Sequence, residues 1–304
     1  MKVSYFPGGI VSSAYKDFEN SVARCLRRLG VDYEPIHNWS DTGGEGAYFT
    51  DHLSFLALPL RNLAIGEKLT RNDTIFLPDP LLYQTFLRAI LRLEEPRNRM
   101  LREQLVQALG LPYTGRMRPA NILHLLKSHT TGKKFDRLVM RRLEGGDEDD
   151  PEPLRIALHT PPELMRPAEI VRIERPERPV LVKSLLQKAG AHCVDWASQS
   201  RWTGGYLSER DEAMSLALVR PLIEDAHAAD AEVIATLEPR ALQALDQYQV
   251  EAMGTLGIQG DPLPVMYATD LLNLALGVGP SVLGTGFHII SCDPVFERIG
   301  LTIQ

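Results

Sequence analysis

Short apolar strands alternate with apolar-periodic helices along this chain, and the alternation occurs twice. In the first half, residues 3–6, 31–36 and 74–77 have the pattern of buried strands, while residues 14–29 and 51–69 have the pattern of helices. Parallel neighbouring strands need long connections, which helices usually supply. The pattern therefore predicts an α/β fold with parallel sheets and crossover helices.

The same order of elements returns in the second half. Strand patterns recur at 154–159, 191–196 and 232–236, a helix is predicted at 209–228, and a last strand and helix at 263–277. Residues 27–39 and 187–199 each have the pattern of a helix end, a glycine, a strand and a turn. We therefore expect an internal duplication of about 150 residues per copy.

Residues 144–153 are acidic, contain Gly and Pro and have no large apolar side chain, which predicts an exposed linker. The expected organisation is a first repeat with a helical insert at 1–143, this linker, and a second repeat with a C-terminal extension at 154–304. The insert, residues 97–143, carries a basic cluster that we expect to be a solvated helix face, although it could also bind an acidic partner. Its members are Lys133, Lys134, Arg137, Arg141 and Arg142.

Charge and hydropathy exclude several classes of protein. The chain has 33 Lys and Arg residues against 39 Asp and Glu residues, a formal charge of −6, whereas a general nucleic-acid binder would carry a basic excess. No run approaches the roughly 20 apolar residues that span a bilayer, and the N-terminus has no apolar signal core. We expect a cytoplasmic protein without membrane insertion, whose partner is a small molecule or a protein.

The three cysteines predict neither a disulfide framework nor a thiolate metal site. Cys25, Cys193 and Cys292 are isolated from one another and have no CxxC spacing. Buried, structural thiols are the expected state of all three.

Six motifs and the order of elements resemble a known family over nearly the whole chain. The motifs of the first half are YFPGG at 5–9, WSDTGG at 39–44 and LPDPLLYQTF at 77–86. Those of the second half are HTPPELMRP at 159–167, SRWTGGYL at 200–207 and TLEPRALQALDQYQ at 236–249. They resemble the B subunit of heterodisulfide reductase, which has two CCG domains and is related to a component of some succinate dehydrogenases. The resemblance implies an α/β fold of two pseudo-repeated, parallel-sheet, CCG-like domains with crossover helices and a helical insert between them.

In that family, cysteines at these motifs hold an unusual noncubane iron–sulfur cluster. The resemblance places other residues at the ten ligand positions: Gly9, Asp41, Thr42, Asp79 and Leu82 in the first half, and Pro162, Trp202, Thr203, Glu238 and Ala241 in the second. The duplication would make Gly9, Asp41 and Asp79 equivalent to Pro162, Trp202 and Glu238. Because deprotonated cysteines hold such clusters, the resemblance implies a degenerate member without a cluster, another metal or any other cofactor.

The implied function is that of a pseudoenzyme, a non-catalytic paralogue that acts as a structural or regulatory subunit. Its expected setting is a heterodisulfide-reductase-like complex, such as those of sulfur metabolism, with a C-like or B-like iron–sulfur subunit as its partner. Two alternatives stay open. One is an enzyme or binding protein that uses the vacated cleft between the domains for a small molecule, contacted by Asp41, Asp79 and Glu238. The other is a homodimer.

The resemblance also predicts how sites without a cluster are filled. Since no metal would join the loops, side chains must do so, and we expect Trp39 and Tyr83 to pack around the first site. Trp202 and Leu207 should pack around the second site. A buried indole would avoid the free-energy cost of a cavity.

Several other polar residues follow predicted strands. His37, Asp41 and Asp79 could form a hard-cation or acid–base site, but carboxylates in polar loops are usually solvated. His159, Glu163 and Glu238 lie near the ends of strands of the second half, and His288 is expected to be a packed or interfacial histidine rather than a base. The pairs Gly8-Gly9, Gly43-Gly44 and Gly204-Gly205 also follow strands, but none opens a phosphate-binding motif, so nucleotide binding has weak support.

Overall fold

The computed structural model describes residues 2–147, 149–204, 207 and 211–302. The chain divides into two compact units, Met1–Glu19 with Gly30–Leu125 and Asn20–Leu29 with Leu126–Gln304. Each unit contains one four-stranded parallel sheet, so the predicted α/β class is confirmed. The predicted division at residues 144–153 stays a prediction, and the two compact units differ from it at residues 20–29 and 126–143.

The first sheet has the strand order β2-β1-β3-β4. Its strands are β1 (Lys2–Tyr5), β2 (Asp32–Pro35), β3 (Thr74–Phe76) and β4 (Arg118–Ala120). All neighbours are parallel, and Tyr5 lies opposite both Pro35 and Phe76. Strand β4 was not predicted, because three residues with a central proline carry no strand pattern and only their pairing with β3 defines them.

Seven helices accompany these strands in the first half of the described chain. They are α1 (Gly9–Ser13), α2 (Lys16–Arg28), α3 (Gly44–Thr50), α4 (His52–Leu69), α5 (Pro80–Glu94), α6 (Arg99–Leu109) and α7 (Ile122–Thr130). Local chemistry sets where α4 begins, because the Asp51 carboxylate accepts hydrogen bonds from the N–H groups of Leu53 and Ser54. The predicted helix at 51–69 is thereby confirmed.

The basic cluster of the insert does not lie on a helix, which corrects the predicted helix face. Helix α7 ends at Thr130, and residues 131–138 form turns. The side chains of Lys133, Lys134 and Arg137 are exposed there. Their solvation therefore comes from the turns and not from helical periodicity.

The acidic stretch predicted as a linker forms an antiparallel hairpin of β5 (Glu144–Asp147) and β6 (Asp150–Pro153). Arg298, at the end of α13 (Asp293–Arg298), forms an ion pair with Glu152 at 3.1 Å. A Cβ at Gly145 would lie 1.6 Å from the carbonyl oxygen of Arg298, so only glycine fits this contact. The stretch is exposed, as predicted, but backbone pairing and Arg298 give it a regular structure.

The second sheet has the strand order β10-β9-β7-β8, again parallel throughout. Its strands are β7 (Arg155–His159), β8 (His192–Cys193), β9 (Val233–Thr236) and β10 (Val265–Tyr267). The accompanying helices are α8 (Ala168–Val171), α9 (Leu181–Lys188), α10 (Glu212–Ala228), α11 (Pro239–Leu256) and α12 (Ala268–Ala275). The predicted start of α10 at residue 209 lies outside the described residues.

The two sheets repeat one topology. In each half, the first strand lies between the second and the third, and the fourth pairs with the third. All four residues of β9 are buried, which is typical of the central strand of a parallel sheet. The common strand order confirms the predicted pair of repeated parallel-sheet domains.

The second unit includes part of an early helix, α2. Ser21 Oγ lies 2.6 Å from Thr269 Oγ1 of α12, and both residues are buried. The side-chain amide of Asn273 donates to the carbonyl oxygen of Ser21 at 2.9 Å. These buried hydrogen bonds explain why residues 20–29 group with the second sheet. In the part of the chain that the structure describes, no helix combines the length and apolar character needed to cross a membrane.

Candidate functional site

Both sheets have a topological switch point, where successive connections leave in opposite directions. In the first sheet the connection after β1 leads to β2 on one side, and the connection after β3 leads to β4 on the other. Open α/β sheets bind ligands in the crevice that this divergence leaves at the carboxyl ends of the strands. We call residues 6–9 and 77–79, which follow β1 and β3, the first crevice. Residues 160–163 and 237–238, which follow β7 and β9, are the second crevice.

A carboxylate joins the loops of the first crevice. Asp41 Oδ2 accepts a hydrogen bond from the N–H of Gly9 at 3.1 Å, and Asp41 Oδ1 accepts one from the N–H of Gly43 at 2.9 Å. A Cβ at Gly9 would lie 2.3 Å from Asp41 Oδ2, so any larger residue would displace the carboxylate. Asp41 therefore connects the loop after β1 with the loop after β2.

The other predicted positions of the first crevice are also occupied by protein contacts. The Asp79 side chain is 4% exposed and accepts a hydrogen bond from the N–H of Leu81, which caps α5. A Cβ at Gly8 would lie 2.7 Å from Leu82 Cδ2, so Leu82 covers that glycine. Thr42 is 2% exposed. Asp79, Leu82 and Thr42 are thus buried or engaged in contacts with neighbouring residues.

The two aromatic residues predicted around this crevice have different neighbours. The ring of Trp39 packs edge-on against Phe6, with ring centres 5.1 Å apart, which places it at the first crevice as predicted. Tyr83 is buried, but its ring contacts His124, with centres 6.0 Å apart. The position of Trp39 agrees with the prediction, and the packing of Tyr83 around this crevice stays a prediction.

A buried histidine, His159, lies at the end of β7 beside the second crevice. His159 Nε2 donates to the carbonyl oxygen of Arg201 at 2.8 Å, and the Thr236 hydroxyl lies 2.9 Å from His159 Nδ1. A carbonyl oxygen can only accept, so Nε2 carries the proton and Nδ1 accepts from Thr236. Burial lowers the pKa of His159 to about 4. The imidazole is therefore neutral at pH 7 and links the ends of β7 and β9.

The predicted positions of the second crevice differ in burial. Thr203, Glu238 and Ala241 are buried, whereas the Trp202 side chain is 38% exposed. The prediction that Trp202 fills a closed void is therefore wrong. A tryptophan that is buried in this unit is Trp196, whose indole N–H donates to the carbonyl oxygen of Leu158 at 3.0 Å.

Pro162 and Leu207 complete the set predicted for the second crevice. Pro162 is half-buried and begins a short 3-10 helix, Pro162–Leu164. Leu207 is half-buried near Gly204, and Gly205 lies outside the described residues. Glu238 precedes the first residue of α11, Pro239, as Asp79 precedes Pro80 of α5. The two acidic residues thus hold the same place relative to their helices.

The donor set does not fit an iron–sulfur cluster. The ten positions offer glycine, proline, alanine, leucine, tryptophan, threonine and carboxylates, but no thiol. Burial raises the pKa of both Cys25 and Cys193 to about 12, and burial with nearby carboxylates raises the pKa of Cys292 as well. These thiols lie in α2, in β8 and before α13, away from both crevices in sequence.

The alternative hard-cation site does not form either. The His37 side chain is exposed, while Asp41 and Asp79 are engaged with separate backbone N–H groups. Within residues 2–147, 149–204, 207 and 211–302, no group of three His, Cys, Asp or Glu side chains could hold a metal ion. His288 Nδ1 lies 3.3 Å from the buried Cys292 Sγ, which agrees with its predicted packed role.

Sequence reasoning missed Thr160 and Thr236 as parts of the second crevice. Both are buried, and they directly follow or end a buried strand. Polar residues at the end of an apolar run, as in RIALHT and VIAT, are the signal that could have identified them. That signal becomes specific only once β7 and β9 are known to be neighbours.

Among the relatives that match this chain, three are similar over nearly its whole length, although no family model matches it. The chain is 25% identical over 287 residues to the B subunit of the ferredoxin/F(420)H(2)-dependent CoB-CoM heterodisulfide reductase of Methanosarcina acetivorans, covering 93% of this chain and 92% of the relative. It is 24% identical over 292 residues to the B subunit of the ferredoxin:CoB-CoM heterodisulfide reductase of Methanosarcina mazei, with coverage of 93% and 92%. It is 23% identical over 290 residues to the 8-methylmenaquinol:fumarate reductase membrane anchor subunit of Wolinella succinogenes, with coverage of 94% and 96%.

A solved structure shares the fold. A hypothetical protein from Helicobacter pylori superposes with a TM-score of 0.67 at 13% sequence identity. The match covers 95% of this chain and 52% of that protein, so this chain spans about half the length of that structure. At this identity the likeness concerns the fold alone.

Proposed function

We propose that this chain, which is similar over nearly its whole length to heterodisulfide reductase B subunits, acts as a non-catalytic, structural or regulatory component of a heterodisulfide-reductase-like complex. Its partner in this proposal is a C-like or B-like iron–sulfur subunit. The setting we propose is sulfur metabolism. The chain itself contributes a protein scaffold and no redox centre.

The observation that carries this proposal is the chemistry of the first crevice. Where the resemblance places cluster ligands, Asp41 joins Gly9 and Gly43 through two hydrogen bonds to their N–H groups. Asp79 caps a helix, and Leu82 covers Gly8. A cluster needs thiolates and space, and these side chains supply neither. The connection between loops is made by the protein itself.

The subunit role has separate support from the relatives. Each of the three is named as a subunit, two as the B component of a heterodisulfide reductase and one as a membrane anchor of a fumarate reductase. The matches extend over at least 92% of each relative, so the similarity is not confined to one module. The simplest explanation is therefore that an ancestor of this chain was already a subunit of a complex.

The test is affinity purification of the tagged chain from its native host, with identification of the co-purifying proteins and their iron content. We expect stoichiometric subunits that carry iron–sulfur motifs, while the tagged chain separated from them contains no cluster. An unrelated tagged protein of similar charge serves as the control. Elution of the chain alone, or with partners unrelated to reductase subunits, would contradict the proposal.

A further inference from the structure

The ends of helices α2 and α7 meet in the second unit, and both ends are basic. Arg27 and Arg28 lie in the last turn of α2, and Lys127 lies in the last turn of α7. All three side chains are exposed. His129 Nε2 donates to the carbonyl oxygen of Leu29 at 2.9 Å, since a carbonyl oxygen can only accept. This buried hydrogen bond brings two separate basic segments side by side.

The turns that follow α7 add three more basic side chains. Lys133, Lys134 and Arg137 are exposed there, beginning four residues after His129. The N–H of Arg137 donates to the carbonyl oxygen of Lys133 at 3.3 Å, and Phe135 between them is buried. The turn is therefore anchored in the core while its cations are exposed. We call the following six residues the basic surface: Arg27, Arg28, Lys127, Lys133, Lys134 and Arg137.

Acidic side chains do not neutralise the basic surface. Within the described part of the chain, none of its six residues forms an ion pair. The acidic residues nearest in sequence are Asp32, Asp136 and Glu144. Asp136 lies 3.7 Å from Lys188 Nζ, Glu144 pairs with Arg142 at 3.1 Å, and Asp32 begins β2 of the first unit. The basic surface therefore keeps a net positive charge.

Helix ends explain only part of this charge. A helix C-terminus carries a partial negative charge, which basic residues in the last turn offset. This effect accounts for Arg27, Arg28 and Lys127. It falls off beyond the last turn, so it leaves the three basic residues of the turns unexplained. Like charges at short range repel one another, and an acidic partner would relieve that repulsion.

An exposed apolar side chain beside the basic surface favours a protein as the partner. Met140, three residues after Arg137, is 72% exposed. Its N–H donates to the carbonyl oxygen of Ala275 at 2.8 Å, so its backbone is fixed. Methionine and arginine are enriched at protein–protein interfaces. A nucleic acid is disfavoured, because its long phosphate backbone would meet the rest of a chain whose formal charge is −6.

We propose that the basic surface docks an acidic protein surface, with Met140 as an apolar contact at its edge. This inference rests on the proposed subunit role and deepens it, because it assigns the surface that contacts the partner. Complementary charge speeds association and selects between partners. Binding should therefore weaken as the salt concentration rises.

The first test repeats the purification from the native host with two tagged triple variants. K133E/K134E/R137E reverses the charges of the turns, and the control K68E/R71E/R175E reverses as many exposed charges elsewhere. We expect the first variant to recover about tenfold less of the identified partner subunit than the parent, and the control to recover as much as the parent. Equal recovery by the two variants would overturn the docking surface and leave the subunit role intact.

The second test needs no native partner. Fluorescence anisotropy measures binding of a labelled peptide of alternating glutamate and alanine, with a short DNA duplex for comparison. We expect the peptide to bind the parent and the control, and to bind about tenfold more weakly to K133E/K134E/R137E and to R27Q/R28Q/K127Q, since the turns and the helix ends form one surface. Circular dichroism checks that each variant is folded, and K133Q/K134Q/R137Q replaces the charge reversal if that variant is not.

Three results would overturn the proposal: no binding of the peptide to the parent, equal affinity for the parent and the turn variant, or tighter binding of the duplex than of the peptide. Loss of affinity in the turn variant but not in R27Q/R28Q/K127Q would overturn the joint surface. Peptide binding as expected, with no partner recovered from the host, would contradict the proposed subunit role alone.

Discussion

Asp41 is the residue whose contacts distinguish the first crevice, and its partner Gly9 allows a specific test. A methyl group at Gly9 would displace the carboxylate, so G9A should cost what the lost hydrogen bonds cost, about 1 kcal/mol of unfolding free energy. D41A should have a similar cost. In the D41A background, however, G9A should have little effect, because the steric conflict is gone.

Denaturant unfolding of the two single variants and the double variant measures this coupling. D261A serves as a surface control, since Asp261 is exposed and lies in an irregular loop. Additive losses in the double variant would mean that Asp41 and Gly9 stabilise the protein independently. That result would remove Asp41 from its role as the link between loops.

His159 predicts how stability depends on pH. Its pKa is about 4 when folded, against about 6.5 in an unfolded chain. As the pH falls, the histidine is therefore protonated in the unfolded chain before it is protonated in the folded chain. The contribution of neutral His159 to the free energy of unfolding is present above pH 6.5 and is lost as the pH falls toward 4. Between pH 7 and pH 4.5 the loss should be about 2–3 kcal/mol.

Urea unfolding of the parent and of H159Q over this pH range tests the contribution of His159 to the free energy of unfolding. The variant should be less stable at pH 7 but should lack this part of the pH dependence. Equal slopes for the parent and the variant would show that His159 is not the group responsible. The comparison also removes the background of titrating carboxylates.

At the scale of helices and strands, sequence patterns predict those elements whose ends are set by residues close to them in sequence. Helix α4 and the start of α5 follow from Asp51 and from the Asp79-Pro80 pair, which act within a few residues. Strand β4 carries no comparable signal, because its pairing with β3, which is distant in sequence, defines it. The β5–β6 hairpin pairs residues that are close in sequence, but its acidic residues, glycines and prolines have no strand pattern. The link between Asp41 and Gly9 was missed for the same reason as β4, since it joins residues 32 positions apart.

The β5–β6 hairpin gives a prediction at this scale. Because Gly145 contacts the backbone of Arg298, G145A should displace the hairpin from the end of α13. Limited proteolysis within residues 144–153 should then become several-fold faster, since cleavage follows local opening. G254A is the control, as a Cβ at Gly254 in α11 meets no described atom within 4 Å. Equal cleavage rates in the parent and G145A would contradict the contact.

At the scale of the whole molecule, the two copies of one topology have different crevices. In the first, the carboxylates of Asp41 and Asp79 accept hydrogen bonds from backbone N–H groups, whereas the second combines the neutral His159 with the buried Glu238. The fold class and the repeat could be predicted from periodicity. The difference between the crevices could not, because it depends on which side chains meet once the strands are paired.

The composition of both crevices predicts the metal content of the purified chain. After anaerobic reconstitution with iron and sulfide, we expect less than one iron atom per chain and no visible charge-transfer absorption, because no thiol lies at the ten positions. The C25A/C193A/C292A variant is the control for iron bound elsewhere. A stoichiometric cluster that the parent forms and this variant does not would refute the cluster-free proposal.

The hydrogen bonds of Ser21 also determine the order in which the two units can be completed during synthesis. Asn273, whose amide binds the carbonyl oxygen of Ser21, is 252 residues further along the chain. At a translation rate of about 5–20 residues per second, this partner emerges roughly 10–50 s after Ser21. During that interval the buried groups of α2 remain hydrated, and the second unit cannot be completed. A ribosome stalled before residue 269 would therefore carry a chain whose first sheet can form while its second still lacks a packing partner for α2.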